Sequence, residues 1–469
     1  MNIIPYAGMS YCQLFCLIVP LFANLTFLSS SNNSFSTFVK LKNCSKSDFS
    51  NFKYLNSKEK LTYLNVSQNN NNMASTIIIS FCTLLLIAYL FDLSASKTKI
   101  PSVILLLLQG WLLHQLTIYS DISLPDFSGF LPILGSIGLI LIVLEGSLEL
   151  DLDKSKIGLI RKSFFGALLT MFVLTIVLSF LFHYLGGYSF RSCVANAVPL
   201  SVISSAIAIP SVRNISSKIK EFVIYESSLS DILGVIFFNF IVLNSDYGFQ
   251  TFGHFGVQLI LIVVISFIAT IGLTILLRKI DHHIKFIPII LIIILIYTLL
   301  EINDLPSLIF ILTFGLFIGN LYKFKKFKWI KKLHPEKLII EDQKFKEITI
   351  EMAFLVRALF FILFGFLLQT SEIINTDTLL LAGGIVFVIF IFRILQLKIS
   401  RLPLNPLLFV APRGLITILL FLSIAPAQRI LLVNKSLIIQ VIILTALVMM
   451  FGLMAFPVKE ESNEEKDIG

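Results

Sequence analysis

The sequence predicts an all-α polytopic membrane protein of about thirteen transmembrane helices, arranged as six, a linker and six more. Three observations lead there. The 469 residues are 56% hydrophobic and 14% charged, with a mean hydropathy of +0.90, whereas a soluble globular chain carries roughly 25% charged residues. The apolar residues run continuously, as in IPSVILLLLQGWLLHQL from Ile100 and IIILIYTLL from Ile292, and a spanning helix needs ~20 mostly apolar residues. No period-two alternation between turns occurs, which argues against a transmembrane β-barrel.

By hydropathy the spans centre near residues 77–92, 100–117, 129–148, 164–186, 192–211, 221–243, 256–277, 286–301, 305–322, 348–369, 378–398, 403–425 and 436–457. Loop charges test that count. After odd-numbered spans come Lys97 and Lys99; Lys154, Lys156, Arg161 and Lys162; Arg213, Lys218 and Lys220; Arg278, Lys279 and Lys285; a lysine-dense segment from Lys323 to Lys346; and Lys398 with Arg401. The opposite loops hold mainly Asp121, Asp126, Asp246, Glu301, Asp304, Glu372 and Asp377, with Arg191, Arg429 and Lys435 dissenting. A missed span would break this alternation. Positive loops stay in the cytoplasm, so the first span is expected to start outside and the acidic tail at 458–469 to lie inside, in the plasma membrane.

The net charge of +9 follows from these short loops and is not a basic face for nucleic acid. The cysteines at 12, 16, 44, 82 and 193 form no CxxC pair or metal-ligand cluster. Residues 1–76 form a polar Asn/Ser/Lys-rich tail with an apolar stretch from Leu14 to Leu28. It reads as a signal-like segment with an exported tail, or as sequence upstream of a true start at Met73, and the second is favoured. The transmembrane domain is expected over 77–457.

Six spans, a linker and six more make the halves opposite in direction, an inverted repeat with its site near the midplane. The fifth span of each half is interrupted. The first reads CVANAVPLSVISSAIAIPSV, with Pro199 and Pro210 bracketing Ser204, Ser205 and Ala206; the second reads PLNPLLFVAPRGLITILLFLSIAP, with Pro406, Pro412, Arg413 and Gly414. Proline removes a backbone donor and clashes with the preceding turn, so each helix is expected to break there, within the interrupted stretch. The plainer reading is a pair of kinked packing helices.

Ionisable groups at membrane depth are costly and mark function. Asp231 sits mid-span in FVIYESSLSDILGVIFFNFIVL, beside Ser230 and four residues after Ser227. The i, i+4 spacing puts the Ser227 hydroxyl on the face of Asp231. Hard oxygens suit a small alkali cation, and desolvation favours the protonated form of a carboxylate. One such group can hold a proton or a cation, a sufficient basis for exchange. Otherwise Asp231 is an acid fixed by an interhelical hydrogen bond. Glu226 lies about 140° round the helix from it and at the depth of Arg393, so the two are expected to form a structural ion pair, exchangeable in part by reversing its charges. Arg413, at the second interruption, is placed to offset helix-end partial charges. Arg357 is a further intramembrane candidate or snorkels to the cytoplasmic surface. Glu145 is expected at the interface. His282 and His283 are loop residues, and Lys323–Lys332, with interleaved Phe324, Phe327 and Trp329, suits anionic lipid.

Several motifs carry a family resemblance. Y-E-S-S-L-S-D from Tyr225, V-L-E-G-S-L-E-L-D-L from Val143, L-F-F-I-L-F-G from Leu359, F-R-I-L from Phe392 and P-R-G-L from Pro412 occur in order on matching spans. Together they resemble the cation/proton antiporter superfamily of sodium/proton exchangers. The resemblance implies two crossed, broken helices and alternating access, with a core at 164–243 and 378–457 and dimerisation helices at 77–148 and 286–369. It also implies a homodimer, ion or proton binding at Asp231, and a structural Glu226–Arg393 pair. The chain departs from the family in having Ser230 where Asn or a second Asp precedes the key aspartate. Ser204, Ser205 and Ala206 replace T-D-P. A single titratable group favours one-for-one exchange.

The expectation is therefore a sodium/proton antiporter working through Asp231, with Ser230, Ser227, Ser204 and Ser205 as ion-site oxygens. Potassium/proton exchange is the alternative, and an ion channel a more distant one. Its partners are a monovalent cation, protons and membrane lipid. No cofactor is expected. An enzyme is disfavoured because no HExxH, GxGD or GxSxG with an intramembrane His occurs.

Overall fold

The computed structural model describes residues 75, 78–95, 98, 100–120, 126–150, 154–212, 215, 217–244, 249–280, 285–303, 305–321, 323 and 335–456. The expectations for residues 1–74, Arg213, His282, His283, residues 324–334 and the tail at 458–469 lie outside them. The chain divides into two compact units, Met1–Leu84 with Ser123–Asp126, and Leu85–Ile122 with Phe127–Gly469. Little more than residues 78–84 of the first unit is described. The packed helices and the site both lie within the second.

The fold is all-α, with no strand among the described residues. The helices are α1 (Ile78–Ala95), α2 (Ser102–Tyr119), α3 (Phe130–Glu149), α4 (Ile157–Gly186), α5 (Phe190–Ser201), α6 (Ser205–Ser211), α7 (Ser217–Leu243), α8 (Phe249–Lys279), α9 (Phe286–Ile302), α10 (Leu308–Gly319), α11 (Pro335–Phe366), α12 (Thr370–Ile373), α13 (Thr376–Ile399), α14 (Leu415–Ser423) and α15 (Lys435–Ala455). With α5 and α6 taken together, ten helical segments among the described residues are long and apolar enough to cross a membrane; α9 and α10 are shorter apolar helices. Their outward sides stay apolar too, as with Val257, Ile260, Val264 and Ile268 of α8. Helices apolar all round belong in hydrocarbon, where each backbone group is satisfied within its own helix.

The helices pack in two groups. In one, α2 and α3 pack on α11, and α10 packs on α3 and α8; in the other, α4 packs on α5 and α7, α7 on α6, and α13 on α15 and α4. Small residues let the first group approach closely. A Cβ at Gly110 would stand 2.7 Å from the Phe366 backbone nitrogen, and one at Gly365 would stand 3.0 Å from the Leu107 carbonyl carbon. The groups meet where α14 and α7 touch α3.

The break in the first interrupted span falls between its two prolines. Pro199 lies inside α5 and Pro210 inside α6, while Val202, Ile203 and Ser204 are non-helical. Three consecutive N–H groups leave the helix ladder and find partners elsewhere. Ile203 donates to Ser230 Oγ at 2.9 Å, Ser204 to the Pro412 carbonyl at 2.9 Å, and Ser205 to Asp231 Oδ2 at 3.2 Å. Buried backbone groups require such partners, so the break forms where neighbouring segments supply acceptors. The second interruption is longer: the chain leaves α13 at Ile399 and resumes a helix only at Leu415.

Candidate functional site: a buried carboxylate where two interrupted helices meet

Helix α7 carries Asp231 into the gap between α5 and α6. The side chain is 1% exposed. Its Oδ2 accepts from both the Ser205 N–H and the Ser205 hydroxyl, whereas Oδ1 has no hydrogen-bond partner. An unpartnered buried carboxylate oxygen is costly and marks where a proton or a cation could sit. The interhelical hydrogen bond of the plainer reading is therefore present, but it occupies one oxygen of two.

The candidate serines have different placements. Ser230 Oγ accepts from the Ile203 N–H, and Ser227 donates to the Val223 carbonyl of its own helix at 2.7 Å. Ser205 binds Asp231 directly. Ser204 is buried with its Oγ unpartnered and lies against Gly414, where a Cβ would stand 2.7 Å from that oxygen. Glycine at 414 thus permits the close approach of the two interrupted segments.

Arg413, also 1% exposed, bridges these segments. Its Nε donates to the Leu200 carbonyl at 2.7 Å and its Nη1 to the Ala411 carbonyl at 2.9 Å. Leu200 lies in the last turn of α5, whose carbonyls have no partner within the helix. A cation there meets the negative end of the helix. The Arg413 N–H is held by Thr445 Oγ1 at 3.1 Å.

Glu226 and Arg393 form a buried ion pair, with Nη1 to Oε1 at 2.5 Å. Gln396 completes a cluster: it accepts from Arg393 Nη1 at 2.7 Å and donates to Glu226 Oε1. Arg393 also donates to the Leu407 carbonyl at 3.1 Å and the Val410 carbonyl at 3.2 Å. The pair thereby anchors the non-helical approach to Arg413. These carbonyls argue against the expectation of a reversible pair, since a carboxylate at 393 would face two acceptors.

Arg357 does not snorkel, and Glu145 is not interfacial. Arg357 is 4% exposed, and its Nη1 lies 3.9 Å from Glu145 Oε2 of α3, which is also buried. Each offsets the charge of the other inside the protein, which removes the reason to reach water. Gln396 and Thr445 escaped sequence reading, although each is a polar residue within an apolar run. No group of three or more His, Cys, Asp or Glu residues suited to a metal occurs among the described residues.

An all-helical membrane protein with an ionisable group held at an interrupted pair of helices has the architecture of a secondary transporter. Residues 82–460 match the family described as sodium/hydrogen exchanger, transmembrane. The chain belongs to that family, and thus to a class of transporters rather than enzymes. Two structures of the sodium proton antiporter MjNhaP1 from Methanocaldococcus jannaschii, one at pH 8 and one an electron-microscopy map, are similar to it. Each has a TM-score of 0.58 at 19% identity, over 81% of this chain and 96% of that one. Identity at that level speaks for the fold. No curated protein matches the sequence.

Proposed function

We propose that this protein exchanges sodium for protons across the plasma membrane, one for one, by competition at Asp231 and alternating access. One observation carries the reading: Asp231 Oδ2 is fixed by Ser205 while Oδ1, equally buried, has no partner. A single free oxygen position in a water-poor site accepts a proton or completes the shell of a cation, and occupancy by one excludes the other. Family membership supports sodium as the cation. In this reading Ser204, Ser205, Ser227 and Ser230 supply the ion-site oxygens that accompany the carboxylate, Arg413 compensates the end of α5, and Glu226 with Arg393 is structural.

In this reading the labour is divided between two sets of helices. Helices 164–243 and 378–457 form the moving core, and helices 77–148 and 286–369 form the scaffold through which two copies associate. The first span begins outside, and the C-terminus lies in the cytoplasm.

Everted vesicles with a preset pH gradient test the proposal. Sodium, lithium and potassium salts are added in turn, and internal pH is followed with a fluorescent base. A saturable collapse of the gradient on adding sodium is expected. Cation flux that neither saturates nor requires a counter-moving proton would identify a channel instead.

A further inference from the structure

Buried hydroxyls in the helices of this protein commonly donate back to the carbonyl one turn earlier. Ser179 donates to Thr175, Ser201 to Ala197, Thr274 to Thr270, Thr349 to Phe345 and Thr445 to Val441. Ser227 on α7 does the same, to Val223. This is the ordinary resting place of a helical hydroxyl in a medium without water.

Ser228, its neighbour, departs from the pattern, as do Thr170, Ser266 and Thr270 among the described residues. Ser228 is 4% exposed, and its Oγ has no hydrogen-bond partner. The hydroxyl points away from its own helix towards α3, at Gly146, where a Cβ would stand 2.8 Å from Ser228 Oγ. Only a residue without a side chain leaves that space. Ser204 stands in the same relation to Gly414 across the other seam of the site, with its own Oγ unpartnered. Each of these two orphaned hydroxyls therefore faces a glycine.

Ser228 precedes Asp231 by three residues. On a helix that places it one turn away on an adjoining face, about 4.5 Å along the axis, with Cβ atoms ~5–6 Å apart. The residues that carry the orphaned hydroxyl and the orphaned carboxylate oxygen thus lie one turn apart on a helix that touches both α3 and α6. The hydroxyl of Ser228 carries the cost of an unmade hydrogen bond, which alanine in the same space would not.

We infer that Ser228 Oγ is an oxygen ligand of the transported cation, sharing it with Asp231 Oδ1, and that it sets cation affinity and selectivity. The inference rests on the reading of Asp231 as the exchange site. A small alkali cation takes hard oxygen donors, and a neutral hydroxyl adds a donor without adding charge. Proton binding at Asp231 needs no such ligand. Ser228 therefore acts on the cation arm of the exchange and leaves the proton arm unchanged.

Half-saturating sodium and lithium concentrations, maximal rate and thermal stability are compared in proteoliposomes for wild type, Ser228→Ala, Ser228→Thr and Asp231→Asn. For Ser228→Ala the expected result is a rise of about fivefold in half-saturating sodium, a changed sodium-to-lithium ratio and a maximal rate near wild type. Ser228→Thr, which keeps the hydroxyl, restores both values. A Ser228→Ala protein within about twofold of wild type for both cations would overturn the inference, as would one that loses only rate or stability. If Asp231→Asn is inactive in that experiment, the aspartate reading survives and the serine alone is wrong. If Asp231→Asn still exchanges, both fall.

Discussion

The backbone N–H of Ser204 donates to the carbonyl of Pro412 at 2.9 Å, so the two interrupted segments are tied main chain to main chain beside Asp231. The bond uses groups that an unbroken helix would have kept for itself. Around it, Arg413 reaches the end of α5, and Gly414 lies against Ser204 and Ile207. The carboxylate is thus framed by backbone whose free groups are already assigned.

Gly414→Ala tests that frame. The added methyl would stand 2.7 Å from both Ser204 Oγ and Ile207 Cδ1, inside van der Waals contact. Overpacking of this kind costs about 1–3 kcal/mol. A lowered melting temperature in detergent and a loss of most exchange are expected, with membrane insertion unchanged.

Removing one member of the Glu226–Arg393 pair leaves a buried charge without its counter-charge, at a cost of about 3–5 kcal/mol. Glu226→Gln should therefore lower the yield of folded protein on size-exclusion chromatography. The reversed pair, Glu226→Arg with Arg393→Glu, should fail to restore it. Arg393 donates to the Leu407 and Val410 carbonyls, and a carboxylate there has no proton to give.

Glycines divide by what faces them. At Gly365 a Cβ would press on the Leu107 backbone of α2, whereas at Gly383 nothing lies within 4 Å. Gly365→Ala should lower stability by about 1–3 kcal/mol, and Gly383→Ala should leave it unchanged or raise it by up to about 1 kcal/mol. Thermal unfolding of the two variants in one detergent measures the contrast.

Competition for one oxygen has a fixed sign in pH. Protons and cations exclude each other, so acidification must raise the sodium concentration that half-saturates exchange. Where the protonated form dominates, the rise approaches about tenfold per pH unit for one proton displaced. Half-saturation measured across a pH series checks this; a constant value would mean separate sites.

Much of the architecture is legible in the sequence because long apolar runs have no other fate than to span. Asp231 stands out for the same reason, as an acid in the middle of such a run. Other features depend on partners distant in the chain. The first helix opens at Val202–Ser204 because Ser230, Asp231 and Pro412 offer acceptors there. Glu145 and Arg357 look interfacial when each is read alone and turn inward because they face each other. Gln396, three residues after Arg393, joins the ion pair through a contact with α7 that no local pattern shows. The direction of a hydroxyl, as at Ser228, is a rotamer and has no sequence signature.

The most direct measurement is sodium-driven proton movement in vesicles containing equal amounts of wild-type and Asp231→Asn protein. An amide at this position can neither release a proton nor balance a cation, so the variant should insert normally and show no exchange with sodium, lithium or potassium. Exchange at the wild-type rate in the variant would contradict the assignment of transport to this carboxylate.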